Sequence, residues 1–133
     1  YLQLVTTGGR VESRQVEVSE ISRAFKTMAM ELKVPVIALA QLSRNAERRE
    51  SNQPRLADLR ESGSIEQDAD LVMFLNRQDY FENKTADNKQ TIVPVDVIIA
   101  KHRRGSTGLF QILFELNKSC FKPYSPIDEN SFS

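Results

Sequence analysis

Between Asp58 and Asp70 the chain is crowded with charged, small and amide residues, and the next five, Leu71-Val72-Met73-Phe74-Leu75, are all apolar. An unbroken apolar run of that length suits a strand buried on both faces. The polar block before it is then a surface feature leading into a sheet. A chain built this way must bury its sheet under other elements, and the rest of the sequence supplies candidates for them.

After an opening run, Tyr1 to Val5, that reads as a strand, Thr6 to Arg14 is a polar loop with glycine. Val18, Ile21, Ala24, Phe25, Met28, Ala29 and Leu32 then recur at spacings of three and four, with charged residues mostly between them. That is the pattern of an amphipathic helix with one buried stripe. It should end near Val34-Pro35, because proline disfavours helix at the residue before it. Val36 to Ala40 reads as a buried strand closed by Gln41. Ser43 to Leu59 is a polar connection, 76–91 a loop of low hydrophobicity, and Val93 to Ala100 a strand running into Lys101-His102-Arg103-Arg104-Gly105. Leu109 to Leu116 returns as the second arm of a hairpin. From Lys118 onward, two prolines and several serines predict a loosely held tail. Strand, helix and strand at this spacing predict an α/β fold, mostly parallel, with an antiparallel edge at its C-terminal end.

At 133 residues the chain is within the size of one domain. Lys plus Arg and Asp plus Glu both number 18, so any contact with phosphates must come from local clusters rather than from net charge. The single cysteine, Cys120, cannot form an internal disulfide, which fits a reducing cytoplasm. One cysteine and one histidine exclude a Cys/His zinc site. No apolar run approaches the ~18 residues of a membrane span. The chain opens without methionine and inside an expected strand, so it reads as a fragment.

Ligands in such sheets sit beyond the carboxyl ends of strands. Two polar groups stand there. Gln41 follows five apolar residues and can orient a water or contact a phosphate oxygen; its place equally suits a glutamine that hydrogen-bonds the next loop. The Lys101–Arg104 cluster offers cations at a tight turn, and alternation puts Lys101 and Arg103 on one side, His102 and Arg104 on the other. An arginine fork matches phosphate geometry, although a basic turn can also be only solvated. Residues 44 to 60 hold five Arg against Glu47, Glu50 and Asp58, a net charge of plus two that suits a nucleic-acid backbone or plain solvation. Glu61, Glu66, Asp68 and Asp70 resemble a metal-binding run without a second ligand set. Glu66 and Asp68 fit better at a short helix begun near Ser62 or Ser64. A phosphate-cradling loop needs a Gly-Lys pair, and none occurs in the chain.

Several stretches, in this order, resemble the DnaB family of bacterial replicative DNA helicases. They are Tyr1-Leu2-Gln3-Leu4, Val18-Ser19-Glu20-Ile21-Ser22-Arg23, Leu32 to Leu39, Gln41-Leu42-Ser43-Arg44, Leu59 to Asp70, and Ile98-Ile99-Ala100-Lys101. The resemblance implies a RecA-like, P-loop NTPase fold whose N-terminal half is missing here, with residues 1–121 in that domain and 122–133 as a tail. It implies a subunit of a homo-hexameric ring that binds ATP and Mg²⁺ at subunit interfaces and threads single-stranded DNA. Such a helicase couples ATP hydrolysis to 5′-to-3′ travel and unwinding, and works with primase and a helicase loader.

On this likeness Gln41 matches the γ-phosphate sensor. Lys101 and Arg103 match the basic pair given to the neighbouring subunit's nucleotide, Arg103 as the arginine finger. Arg60, Glu61 and Gly63 match a DNA-contacting loop, and the connection holding Arg44, Arg48 and Arg49 a second one. Gly63 suits close approach of backbone to phosphate. The family commonly carries Gln and Asn where His102 and Arg104 stand. Lacking the phosphate-binding loop and the Walker B acid, this chain alone is expected not to hydrolyse ATP. The alternative is a truncated, non-catalytic protein that binds DNA or a helicase ring.

Overall fold

A computed structural model describes residues 1–9, 12–42, 53–77 (backbone course only at 60–63) and 91–124. Helix α1 spans Arg14–Leu32, a 3₁₀ segment Leu56–Ser62 runs directly into the short helix α2, Gly63–Asp68, and four strands follow: β1 Leu71–Asn76, β2 Ile92–His102, β3 Gly108–Glu115 and β4 Cys120–Pro123. The strands form one antiparallel sheet in chain order, β1-β2-β3-β4.

Helix α1 begins where the sequence supplies a cap. The Ser13 hydroxyl accepts from the Val16 N–H, and Glu17 in the first turn accepts from the Thr7 N–H at 2.9 Å. Arg14 binds Glu17 and the carbonyls of Gln3 and Val5, tying the helix start to the chain's opening segment. Lys33 ends the helix in the left-handed region at φ 54°, two residues before Pro35. Only the first half of the expected stripe is covered. Val18 and Ile21 are buried with Leu2, and Phe25 and Ile65 pack against them. Met28 and Leu32 are exposed.

A second cluster, Leu59, Val72 and Phe74, gathers Ala40, Leu42, Leu56, Ala69, Ile98 and Ala100. Helix α2 therefore sits between the clusters, Ile65 packing on the first and Ala69, the residue just past its end, on the second. A six-residue helix is far too short to hold itself together in water. Packing on both sides keeps it.

Four expectations are corrected. Tyr1 to Val5 is not a strand; Leu2–Leu4 is one 3₁₀ turn. Val36 to Ala40 carries no strand pairing, and Ile37 is 88% exposed. These two segments lie side by side, joined by the Leu2 N–H to the Leu39 carbonyl at 2.7 Å. An inner parallel strand needs a ladder on both edges, and among the described residues each has only the other. All four described strands are antiparallel and form the edge expected at the C-terminal end of the α/β fold. Third, β1 is buried on one face only: Val72, Phe74 and Asn76 point in, Leu71, Met73 and Leu75 out. Last, the region after Lys118 is not all loose tail, since β4 pairs with β3 as far as Pro123. The antiparallel hairpin of β2 and β3 matches its expectation. The loop expected at 76–91 lies outside the described residues over 78–90.

One irregularity of the sheet bears on function. Phe74 lies opposite Ile98 and Met73 opposite Ile99, but Val72 lies opposite Lys101. Strand β2 thus carries an extra residue, Ala100, a β-bulge at its C-terminal end.

Candidate functional site

The bulge sets where the basic turn points. Residues directly opposite in an antiparallel pair share a face, so Lys101 stands on the face of Val72 and Phe74, where Ala69, just past α2, also packs. Its ammonium donates to the carbonyl of Glu66 and, at 3.2 Å, to that of Gln67. Arg103 donates through Nη2 to the same Gln67 carbonyl. The final carbonyls of a helix lack intrahelical partners and carry partial negative charge, so two cations there cap α2. Lys101 and Arg103 meet on one side, as alternation predicts.

Asp70, just past α2, completes the cluster. Its carbonyl accepts the Arg103 N–H at 2.9 Å. Its carboxylate takes the Lys26 ammonium on Oδ2 and lies 3.7 Å from Arg103 Nε on Oδ1. The Lys26 hydrogen bond, with added attraction from Lys26, Arg103 and Arg104, holds the Asp70 carboxyl below the usual carboxylate range. Arg103 keeps about half of its side chain in solvent, 49% by exposure. His102 lies over Gly105 on the outer side of the turn, where its ring occupies the space a Cβ at Gly105 would need.

Gln41 does not join this cluster. Gln3 clamps its backbone on both sides, Nε2 donating to the Gln41 carbonyl at 2.9 Å and Oε1 accepting the Gln41 N–H at 3.1 Å. Its side chain is exposed, between Ala40 and Leu42 that pack on the second cluster. The backbone of Arg60, Glu61 and Gly63 carries the passage from the 3₁₀ segment into α2. Arg44, Arg48 and Arg49 lie outside the described residues. Glu66 serves through its backbone carbonyl, and Asp70 is engaged by two cations rather than standing as a metal ligand.

Sequence reasoning missed Asp70 and Lys26 as members of the site. Asp70 had a signal, an acid directly after a short helix whose end two cations approach. Lys26 had none, because 44 positions separate it from its partner.

Among the described residues no helix is long and apolar enough to cross a membrane. A family model described as the DnaB-like helicase C-terminal domain matches residues 1–123. The replicative DNA helicase DnaB of Geobacillus stearothermophilus is 56% identical over 121 residues, covering 89% of this chain and 26% of the relative. The replicative DNA helicase DnaC of Bacillus subtilis is 54% identical over 121 residues, again 89% of this chain and 26% of the relative. The chain thus spans about a quarter of the length of these relatives. Among solved structures, one described as an ATPase domain superposes with a TM-score of 0.83 at 47% identity, over 94% of this chain and 43% of that one. A DnaB-like replicative helicase, described together with its interactions with primase, gives the same score and identity over 94% and 30%.

Proposed function

The chain belongs to the DnaB-like helicase C-terminal domain family, and from that membership we propose that it is the sensing and coupling segment of a replicative DNA helicase. In the assembled enzyme it serves a homo-hexameric ring in the cytoplasm that turns ATP hydrolysis into 5′-to-3′ movement along single-stranded DNA. Primase and a helicase loader are the partners this reading implies. Residues 1–123 act within the ATPase domain, with β4 as its last paired strand.

The observation that carries the reading is the docking of Lys101 and Arg103 on the end of α2. The helix begins at Gly63, directly after Arg60 and Glu61, and at 1.5 Å per residue is only about 9 Å long. A basic turn offered to a neighbour's nucleotide and a loop offered to DNA are then the two ends of one small rigid piece. Movement at one end is felt at the other.

The residues suit ATP in one way only. With no Gly-Lys pair the chain has no loop to cradle phosphates, whereas Arg103, half exposed, suits a phosphate presented from outside. Lys101 and Arg103 would meet a nucleotide held by the adjacent subunit, where a guanidinium stabilises charge that grows on the transferring phosphoryl group. Gln41, fixed by Gln3, would orient toward the γ-phosphate of its own subunit. Mg²⁺, when bound, neutralises phosphate charge. Arg60, Glu61 and Gly63, with Arg44, Arg48 and Arg49, would contact the DNA backbone.

Arg103→Ala in an intact helicase subunit carrying this segment is expected to lower DNA-stimulated ATP hydrolysis by about a thousandfold or more, with nucleotide binding largely spared. Near-normal hydrolysis in that variant would remove Arg103 from the role.

A further inference from the structure

The contacts of Arg103 are distributed unevenly over its guanidinium. Nε faces Asp70 Oδ1 at 3.7 Å and Nη2 donates to the Gln67 carbonyl. These two nitrogens form one edge of the planar fork. Among the described residues Nη1 makes no hydrogen bond, so the far end of the fork, Nη1 with the outer hydrogen of Nη2, is left for an incoming acceptor. One residue grips Arg103 twice, since the Asp70 carbonyl also accepts the Arg103 N–H at 2.9 Å. Asp70 in turn is not free to swing, because Lys26 of α1 holds its other carboxylate oxygen.

We propose that Asp70, anchored by Lys26, is a positioning residue that aims the open end of the Arg103 guanidinium outward at the neighbouring subunit's nucleotide; the proposal rests on the trans-finger reading above. Stability does not explain the arrangement. Asp70 is 63% exposed and Lys26 30%, and solvent-exposed ion pairs contribute little to folding. Direction is another matter. A free arginine side chain samples many rotamers, and holding one edge of the fork removes that freedom before the phosphate arrives.

The test uses a full-length chimera in which residues 1–123 replace the matching segment of the Geobacillus stearothermophilus helicase. Asp70→Asn should lower kcat for DNA-stimulated hydrolysis by about tenfold or more while KM for ATP moves by less than about twofold. Asp70→Glu should recover part of the loss. Asp70→Asn added to Arg103→Ala should cost nothing further, because the two act through one group.

The charge exchange Lys26→Asp with Asp70→Lys separates positioning from mere tethering. It restores a bond between α1 and position 70 but gives Arg103 a cation where it had a carboxylate. Continued low kcat in the exchange supports the proposal. Recovery of kcat would overturn it, as would an unchanged kcat in Asp70→Asn. Full hydrolysis in Arg103→Ala alone would instead bring down the trans-finger reading itself.

Discussion

Three carboxylates among the described residues respond to acid, each for a local reason. Glu17 is held below its ordinary value by the Thr7 N–H and then by Arg14, Asp70 by Lys26, and Glu115 by Lys118 and Lys122. A carboxyl whose folded pKa lies below its unfolded one adds stability above the unfolded value and loses it as pH falls through the folded value. The melting temperature of the chain should therefore hold from neutrality to about pH 5 and fall below about pH 4, where free carboxylates already titrate. Glu115 is the buried member of the three, and its two lysine partners come from the turn and from β4. Glu115→Gln should flatten the acid limb measurably, and an unchanged limb would show that these pairs do not survive in solution. Lys122 runs the other way. Glu115 raises its pKa, so its contribution is present below the ordinary lysine range and is lost as pH rises beyond it.

Strand β1 shows how an element divides its neighbours. Phe74 is 5% exposed against Leu59 and Val72, and Met73 beside it is 55% exposed. Truncating Phe74 to Ala should cost about 3–5 kcal/mol of stability, and Met73 to Ala less than about 0.5 kcal/mol. Denaturant unfolding of the two variants checks this, and similar costs would mean the outer face is also covered. The apolar letters of β1 were equally visible in both residues, and the sequence could not say which face had a cover. The same gap explains the segments 1–5 and 36–40. Their composition is that of inner strands, but a strand exists through its partners, and composition does not name them. Helix α1 and the β2–β3 hairpin were legible because their signals are periodic and local. Strand β4 was not: it is short, exposed along its length and holds Pro123, and it is kept by its ladder to β3 and by the Phe114 and Phe121 rings, 4.8 Å apart. Within the candidate site, Lys101 and Arg103 could be found from their place after a strand. The Lys26–Asp70 pair could not, since no spacing rule links positions so far apart in the chain.

For the molecule as a whole, division of labour is the governing fact. The chain spans about a quarter of its relatives' length and has no phosphate-cradling loop, yet it holds a basic pair that, on the proposed reading, acts on a nucleotide held by the adjacent subunit. The purified 133-residue chain should therefore release no phosphate from ATP above background, with or without single-stranded DNA. Turnover by the pure chain would mean that it carries a phosphate site other than a Gly-Lys loop. The placing of the basic pair depends on counting rather than on chemistry. Ile99 and Lys101 stand two residues apart and would share a face in a regular strand, but the extra Ala100 turns Lys101 to the opposite side. Strand β2 is thus written in two phases, one for the core and one for the turn, with a single residue as the junction between them. Exchanging Ala100 for another small residue leaves both phases intact. Pairing Ala100 regularly with Val72 would instead shift the turn by one place and send Lys101 and Arg103 to the other face of the sheet, with every side chain of the site still present. The register of this strand is a functional quantity in its own right.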